Sequence, residues 1–404
     1  MKQEQIPFNW EYLPVRALAI SKNQTVNPKQ FANRVFADFS MPAYDKGDGP
    51  NFIKGEQMES NRNQLSPTTT VLINKLNVRK ERIWYIKEPP VNSVCTSEFI
   101  PLYPKKNVEG AYLKYALLNS DVTQKLISIS NGSTNSQVRV KPNDILCLRI
   151  LVPSLEVQKS IAHYLDLMNA RIDEAISRHR LAIDKLEEYR RAIISCVIGG
   201  RAEEVDSSGW TWKRFKFIAR VDSNLVEPNK YANWLHIAPD AIGKGNGKLL
   251  QKHTVSEDGV VSSNHLFRKG AILYSKVRPR LNKVVIAPDD GLCSADMYPI
   301  STTQNVEWLK FYMLSDQFVE QAGLVSDIRI KMPKINKQEL GDIKILVPPP
   351  NVQLEIVSRL NAQCYAIDEA IGRQNQIIDK LVECRRSLIH VAVTGQIDCT
   401  KEPL

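Results

Sequence analysis

Two stretches of the chain, residues 151–200 and 346–395, place apolar side chains at the spacing of an α-helix. Apolar residues recur every three or four positions with charged or amide residues between them, which is the pattern of a helix with one apolar face. Prolines stand at the start of each stretch, where a helix tolerates them because its first turn needs no N–H donor. The pattern predicts two helices of about 40 residues, each about 60 Å long.

The apolar stripes also indicate what these helices pack against. A helix that long cannot bury its stripe against one small domain, whereas two such helices can bury their stripes against each other. The sequence leaves open the alternative that each helix packs only on its own domain. The residues expected at the helix-pair interface are Ile161, Leu165, Ile172, Ile176, Ile183 and Leu186 in the first stretch and Ile356, Leu360, Ile367, Ile371, Ile378 and Leu381 in the second.

The two stretches are copies of one another. Leu151 aligns with Leu346 and Gly200 with Gly395 without a gap, and 22 of the 50 aligned positions are identical. Self-similarity at a fixed offset is the mark of an internal repeat. If both halves repeat one domain–helix arrangement, a pseudo-two-fold relation follows naturally. The predicted fold class is therefore two mixed α/β domains joined by two long helices that form an antiparallel coiled coil.

The segments before each repeat differ from one another far more than the repeats do. Both contain short alternating apolar runs broken by Gly, Pro, Asn and Asp, which is typical of strands joined by turns. Residues 271–300 predict strand, loop, strand, turn and strand, while 308–323 predict one helix that ends at Gly323, with 112–128 as its counterpart. The chain accordingly divides into variable segments 1–150 and 201–345 and repeated segments 151–200 and 346–404.

Short stretches of the two variable segments still correspond. Residues 72–86 align loosely with 273–287, and 94–99 align with 292–297. Trp10 and Trp210 occupy matching places at the start of each half. A shared scaffold that carries two different recognition surfaces accounts for this layout.

The charge of the chain favours a polyanionic partner. The chain has 54 lysines and arginines against 44 aspartates and glutamates, a formal net charge of +10, and each neutralised phosphate releases condensed counterions. Basic and amide residues cluster near predicted strand ends in both variable segments, and these residue types contact phosphates and base edges. The candidate DNA-binding residues are Lys75, Asn77, Arg79, Lys80, Arg82, Gln137, Arg139 and Lys141 in the first half and Lys276, Arg278, Arg280, Asn282, Lys283, Arg329, Lys331 and Lys334 in the second.

Motifs for catalysis or metal binding are not found in the sequence. The six histidines show no metal-ligand spacing, and the glycine-rich residues 243–248 lack the Gly-Lys-Ser/Thr ending of a phosphate loop, so a flexible turn is expected there. The paired acids Asp173-Glu174 and Asp368-Glu369 fall inside the repeated helices and are expected to be solvated or to face a partner. No catalytic residue and no metal site are predicted.

The expected compartment is the cytoplasm. Seven cysteines, an odd number without a Cys-x-x-Cys pair, favour reduced thiols over a disulfide framework or a zinc knuckle. The first residues lack the apolar run of a signal peptide. No stretch reaches the length of a membrane helix.

The chain resembles the specificity subunits of Type I restriction-modification systems. The openings LVPSLEVQKSIAHYLD and LVPPPNVQLEIVSRLN, the motif IDEAI in both repeats and the ending VTGQID are similar to the repeats of that family. KGAILYSKVRPRLNKVVIAPDDGLCSADM is similar to the middle of its target-recognition domains. In the first half VRKERIW replaces the usual Arg-Pro turn, and IGGRAE replaces the Thr-Gly ending.

The resemblance implies what the chain does and what it works with. It implies target-recognition domains at 1–150 and 201–345 that each read one half of a bipartite, asymmetric sequence in double-stranded DNA, without a catalytic centre in this chain. It implies two modification (methyltransferase) subunits and restriction (motor-nuclease) subunits as partners, which would bind S-adenosylmethionine, ATP and Mg. The residues alone leave two alternatives open: a self-contained DNA methyltransferase or nuclease, and a coiled-coil scaffold that does not bind DNA.

Overall fold

The chain forms two compact units in a computed structural model that describes residues 9–130, 138–202, 209–329 and 331–401. Unit 1 joins Met1–Ser177 to Ile377–Leu404, and unit 2 is Arg178–Gln376. Each unit therefore combines one globular part with a portion of each long helix.

The first globular part contains eleven strands and five short helices among its described residues. The strands are β1 Glu11–Pro14, β2 Ala19–Ser21, β3 Thr25–Val26, β4 Val35–Phe39, β5 Asn51–Lys54, β6 Arg62–Gln64, β7 Thr70–Asn74, β8 Ile83–Ile86, β9 Ser93–Cys95, β10 Phe99–Pro104 and β11 Arg149–Val152. The helices are α1 Val15–Leu18, α2 Met41–Lys46, α3 Gly110–Leu117, α4 Ser120–Ile129 and α5 Pro142–Cys147. The first long helix, α6, is Leu155–Ile198.

The second globular part repeats this set. Its strands are β12 Thr211–Arg214, β13 Ala219–Val221, β14 Leu225–Val226, β15 Leu235–Ile237, β16 His253–Thr254, β17 Asn264–Phe267, β18 Ile272–Ser275, β19 Val284–Ile286, β20 Gly291–Cys293, β21 Met297–Thr302 and β22 Lys344–Val347. Its helices are α7 Val306–Leu314, α8 Asp316–Ser326 and α9 Lys337–Asp342, and the second long helix, α10, is Pro350–Val393.

The sheets of the two units have the same strand order. In unit 1 the orders are β1-β11, β2-β10-β7-β8 and β3-β6-β9-β4-β5, and in unit 2 they are β12-β22, β13-β21-β18-β19 and β14-β17-β20-β15-β16. Among the described residues each unit has one parallel strand pair, β4 with β9 and β15 with β20, and these pairs correspond. The predicted duplication of mixed α/β domains is confirmed.

The two long helices have the predicted length and end in the same way. Each contains 44 residues. Gly200 and Gly395 follow the helix ends with φ of +65° and +73°, a conformation that glycine adopts without the clash a Cβ would cause. The next amides, of Arg201 and Gln396, donate to carbonyls of the last helical turn at 3.1 and 2.8 Å. The first copy therefore keeps the helix-ending geometry although its sequence there departs from the usual Thr-Gly.

Within each unit the helix segments pack antiparallel. In unit 2, Arg190 pairs with Asp368, and His179 Nδ1 lies 2.5 Å from Gln374 Oε1, so the position on α10 falls as the position on α6 rises. In unit 1 the counterpart ion pair joins Arg385 to Asp173. Asp173 is 65% exposed, as expected for a solvated acid, whereas Asp368 is 29% exposed, and each of the two also pairs with an arginine on the other helix.

The interface stripe is buried towards the helix ends and half-buried in the middle. Ile161 and Leu165 lie in one core cluster with Ile389 and Val393. The stripe residues that are buried are Ile161, Leu165, Ile172, Ile176, Ile356, Leu360 and Ile367, and those that are half-buried are Ile183, Leu186, Ile371, Ile378 and Leu381.

The helix predicted for 308–323 is wrong in two respects, because it breaks at Ser315 and continues past Gly323 to the end of α8. Ser315 has extended backbone, and its hydroxyl donates to the carbonyl of Tyr312 at 2.6 Å. The next amide, of Asp316, donates to Ser195 Oγ on α6 at 2.9 Å. The break is therefore the place where the long helix docks on the globular part.

A buried glutamine ties each long helix to its domain. Gln353 is 1% exposed. Its amide oxygen accepts from the backbone N–H of Asn305 at 3.0 Å, and its amide nitrogen donates to the carbonyl of Pro348 at 2.9 Å. Gln158 makes the equivalent bonds to Glu109 N and Pro153 O in unit 1, both at 2.9 Å. This explains why the glutamine is retained in both repeats.

Candidate nucleic-acid interface

Five of the predicted residues in each unit lie on a turn that has the same geometry in both units, and the others lie within 137–141 and 329–334. The β7–β8 turn covers residues 75–82 and the β18–β19 turn covers residues 276–283, and each contains a short 3-10 helix, at Val78–Lys80 and Pro279–Leu281. This helix forms in the first half although VRKERIW has no Arg-Pro. The loose alignment of these segments is therefore a true structural correspondence.

Two residues of each turn adopt left-handed backbone without being glycine. The first position is Asn77 with φ +51° and Arg278 with φ +50°, and the second is Glu81 with φ +48° and Asn282 with φ +45°. Such residues are uncommon, and the surrounding contacts must hold them in place. Because these four residues occupy two corresponding positions, the two turns share one backbone conformation.

Neighbouring segments of the sheet fix this backbone. The amides of Asn77 and Arg278 donate to the carbonyls of Val138 and Pro333 at 2.8 and 2.7 Å. Next to this contact each unit has one ion pair, and the two ion pairs occupy corresponding positions. Arg139 binds Glu98 at 2.9 Å in unit 1, and Lys334 binds Asp296 at 3.2 Å in unit 2.

Several candidate cations are exposed and make no side-chain ion pair or hydrogen bond among the described residues. They include Arg278, at the left-handed position of the β18–β19 turn. Their charges are available to a phosphate, since no carboxylate of the described chain is bound to them. This set is Arg79, Lys80 and Lys141 in unit 1 and Arg278 and Lys331 in unit 2. Lys75 and Asn77 are half-buried and also lack such a partner within the described ranges.

Other candidates on the second unit are held by protein groups. Arg280 binds Asp327 at 2.6 Å, and Arg329 binds Glu339 at 2.7 Å. Lys276 Nζ donates to the carbonyl of Ala295 at 2.6 Å. These pairs lie at the surface, where an ion pair is worth little and can be exchanged for a phosphate.

Three candidates support the turn from beneath. Arg82 is 7% exposed and donates two hydrogen bonds to the carboxylate of Asp45, both 2.7 Å long. These bonds lower the pKa of Asp45 below its usual value. Asn282 is buried and donates to the carbonyl of Leu314 at 3.0 Å, and Lys283 donates to the carbonyl of Pro239. Gln137 lies outside the described residues.

The residues that pack against each turn differ between the units and were not predicted. In unit 1 the connection between β4 and β5 is helix α2, whose Tyr44 hydroxyl donates to the carbonyl of Glu81 at 3.4 Å. In unit 2 the corresponding connection contains the glycine loop, residues 243–248, and the amide of Gly245 donates to the carbonyl of Asn282 at 2.9 Å. The lysines of the glycine loop are the sequence feature that could have indicated this surface, but only the fold places them near the turn.

A histidine cluster was also missed by the sequence spacing. Asp258 Oδ2 lies 2.6 Å from His236 Nδ1, and Asp258 Oδ1 lies 2.8 Å from His253 Nδ1. Burial acts to raise the pKa of Asp258, but the two histidine hydrogen bonds outweigh it and the pKa is lowered. In the described part of the chain, no group of three or more His, Cys, Asp or Glu side chains could hold a metal ion.

No helix among the described residues is both long enough and apolar enough to span a bilayer. The long helices α6 and α10 carry charged residues throughout, which agrees with this result.

Comparison with known proteins gives relatives of one kind. The Type I restriction enzyme EcoDI specificity subunit of Escherichia coli is 32% identical over 312 residues, covering 70% of this chain and 69% of the relative. The EcoKI specificity subunit of Escherichia coli strain K12 is 20% identical over 330 residues, covering 73% and 67%. No protein-family model matches the chain.

A solved structure shares the fold. It is a chain from work on complex assembly and conformational transition of the type I restriction-modification system, with a TM-score of 0.70 and 16% identity over 98% of this chain and 100% of that one. At this identity the likeness supports the fold, while the sequence relative supports the family. Because the chain is 32% identical to a curated specificity subunit over more than two thirds of both sequences, it belongs to the family of Type I restriction enzyme specificity subunits.

Proposed function

We propose that each unit reads one half of a bipartite, asymmetric DNA sequence, with the β7–β8 and β18–β19 turns facing the DNA. Family membership makes the chain a DNA-recognition subunit without catalytic activity of its own. The observation that carries the assignment of the surface is the recurrence of one turn, held by the same contacts, with exposed and unpaired cations in both units. A surface that recurs in both units while its surroundings differ is suited to a function that both units share.

The shared task is phosphate contact, and the differing surroundings read bases. Lys75 and Lys276 occupy the same position of the two turns, as do Arg79 and Arg280, so these residues suit sequence-independent contacts to the DNA backbone. Sequence reading then falls to side chains that differ between the units, such as Asn77, and to the segments that pack on each turn.

The partners and cofactors follow from the family. We propose that two modification subunits bind this chain and that restriction subunits join that core in the cytoplasm. S-adenosylmethionine, ATP and Mg would be bound by those partners and not by this chain. The proposed boundaries are 1–150 and 201–345 for the recognition domains and 151–200 and 346–404 for the repeated helices. Neither a self-contained enzyme nor a scaffold that does not bind DNA is favoured, because the sequence relatives are specificity subunits.

Two substitutions of exposed cations that have no ion pair among the described residues, one in each unit, test the surface. Arg79→Ala in unit 1 and Arg278→Ala in unit 2 should each weaken DNA binding by the complex with its modification subunits. Each should also lower the slope of log affinity against log salt concentration by about one if the residue contacts a phosphate. Lys269→Ala removes an exposed charge outside the turn and serves as the control. Unchanged affinity in both variants, with the wild type binding DNA in a salt-dependent way, would place the reading surface elsewhere.

A further inference from the structure

A cavity of about 300 Å³ in unit 2 lies beside the β18–β19 turn. It is bounded by α6, the glycine loop, the turn itself and the junction of α7 and α8. Its charged lining has more cations than carboxylates, and the residues are Arg190, Arg191, Lys244 and Arg280 against Glu187 and Asp316. Asp316 already accepts a hydrogen bond from Ser195 Oγ at 2.9 Å. Arg190 and Arg280 are paired with Asp368 and Asp327, which lie outside the lining, so the positive charge left for a ligand is that of Arg191 and Lys244.

One of these cations is buried with hydrogen-bonding capacity left over. The side chain of Arg190 is 5% exposed and pairs with Asp368. Its Nε is buried and has no hydrogen-bond partner among the described residues. Buried polar groups in folded proteins nearly always have a partner, so this N–H is suited to an acceptor other than the described protein groups.

The glycine loop is held firmly against the cavity. Besides the bond from Gly245 to the turn, Lys248 on this loop pairs with Asp368 at 2.7 Å. Gly247 has φ +69°, which favours glycine, and a Cβ at this position would lie 3.1 Å from the side chain of Leu314, so the loop packs closely here. This packing presents Lys244 at the rim, exposed and without an ion pair in the described chain.

Unit 1 repeats only part of this arrangement, since the buried Nε of Arg385, the counterpart of Arg190, also lacks a partner among the described residues. The equivalent connection there is α2, which presents the carboxylate of Asp45 to the turn. Arg386, the counterpart of Arg191, lies 3.9 Å from Glu81. Acidic groups therefore occupy the surroundings that are basic in unit 2.

We infer that this cavity binds a phosphate group. The guanidinium of Arg190 supplies a fixed buried donor, and Arg191 and Lys244 supply charge at the rim, a combination that matches the several acceptor oxygens of a phosphate. Arg280 belongs both to the cavity and to the turn, so a phosphate of the DNA backbone beside the reading surface is one source. A free phosphate compound is the other. The DNA source rests on the proposed function, whereas the free source does not.

Salt-dependent binding of the full chain with its modification subunits separates the DNA source. The probe is a labelled mixed-sequence duplex of about 60 base pairs, titrated at several salt concentrations. Lys244→Ala and Arg191→Ala should each lower the log–log salt slope by about one and weaken binding equally for unrelated sequences. Lys269→Ala should leave the slope unchanged.

A thermal-shift titration with inorganic pyrophosphate tests the free source. Stabilisation of the wild type that Lys244→Ala abolishes and Lys269→Ala keeps would assign the cavity to a free phosphate compound. If neither assay distinguishes the pocket variants from the wild type, the inference is overturned. A normal salt slope in the Lys244→Ala and Arg191→Ala variants together with a reduced slope in Arg278→Ala would reject the DNA source and leave the proposed reading surface standing. The reverse result would reject that surface and keep the cavity.

Discussion

At the scale of single residues, a buried side-chain amide specifies where a long helix meets its domain. Its hydrogen bonds are directional, whereas apolar packing is not. Gln353 satisfies a backbone donor and a backbone acceptor that would otherwise be buried without partners. A buried polar group without its partner costs about 1–3 kcal/mol, which is more than a satisfied bond contributes. The register between α10 and unit 2 therefore depends strongly on this one side chain.

Gln353→Leu should lower the free energy of unfolding by about 2–4 kcal/mol, because it strands the Asn305 N–H and the Pro348 carbonyl. Urea denaturation of the full chain measures the change. Gln376→Leu makes the same replacement at an exposed position of the same helix and should change stability by less than about 1 kcal/mol. Equal effects of the two substitutions would mean that the buried bonds contribute nothing specific.

Arg82 is of a residue type that commonly contacts DNA, but its surroundings indicate a structural role. Its pair with Asp45 lowers the pKa of that carboxyl, mainly through the hydrogen bond. A carboxyl whose folded pKa is depressed stabilises the fold fully above its unfolded pKa, near 3.8. That contribution is lost as the pH falls through the lower folded value.

Arg82→Met should therefore lower the melting temperature at neutral pH, and the difference from the wild type should shrink as the pH falls below about 4. Melting curves between about pH 7 and about pH 2 check this, with Asp45→Asn as the matched variant expected to show the same pH dependence. The DNA salt slope should stay at the wild-type value, because the guanidinium is buried. A loss of slope as large as that of Arg278→Ala would instead assign Arg82 to the DNA.

At the scale of elements, the repeated helices carry one ion pair twice in different surroundings. The Arg190 side chain is 5% exposed and Asp368 29%, whereas Arg385 is 29% exposed and Asp173 65%. Breaking a buried pair leaves an uncompensated charge, while an exposed pair contributes little. The same sequence motif therefore has different energetic weight in the two units.

Asp368→Ala should destabilise the chain by about 2–4 kcal/mol, because it leaves Arg190 buried without its counter-charge. Asp173→Ala, the matched change in unit 1, should cost no more than about 1 kcal/mol. Urea denaturation compares the two variants directly. If the Asp173 variant were the less stable of the two, burial would not determine how much these ion pairs contribute to stability.

Sequence patterns predict elements well where one physical rule acts alone. The stripe of α6 and α10 follows from helical periodicity, and both helices form with the expected length. The break at Ser315 does not follow from the apolar pattern, because that pattern continues from α7 into α8, whereas the bond of the Ser315 hydroxyl to Tyr312 and the contact with Ser195 fix the break. The β7–β8 turn was recognised by alignment, yet nothing local in the sequence shows that Arg82 lies beneath it while Arg79 lies exposed.

At the scale of the whole molecule, the core of unit 1 is built from both ends of the chain. The cluster that contains Val71 and Leu113 of the globular part also contains Ile389, Val393 and Cys399 from the end of α10 and the residues after it. Segment boundaries drawn along the sequence do not show this, because the two contributions are more than two hundred residues apart. A recognition domain therefore depends on a helix end that the chain reaches only after the second domain.

This dependence decides how recognition domains can be exchanged. Replacing residues 1–150 by the corresponding segment of another specificity subunit should change one half of the recognised sequence and leave the other half unaltered. It should also lower the melting temperature, because the foreign core meets Ile389 and Val393 in a mismatched packing that creates cavities or overlaps. Exchanging residues 377–404 together with 1–150 should give the same new half-site and recover part of the lost melting temperature, since Ile161 and Leu165 of α6 also belong to this core. Modified-base sequencing of DNA from cells with each chimaera identifies the half-sites, and melting curves of the purified chains measure the effect on packing.

A change in both half-sites would contradict the division of reading between the units. Equal melting temperatures for the two chimaeras would show that the end of α10 is not a specific part of the first core.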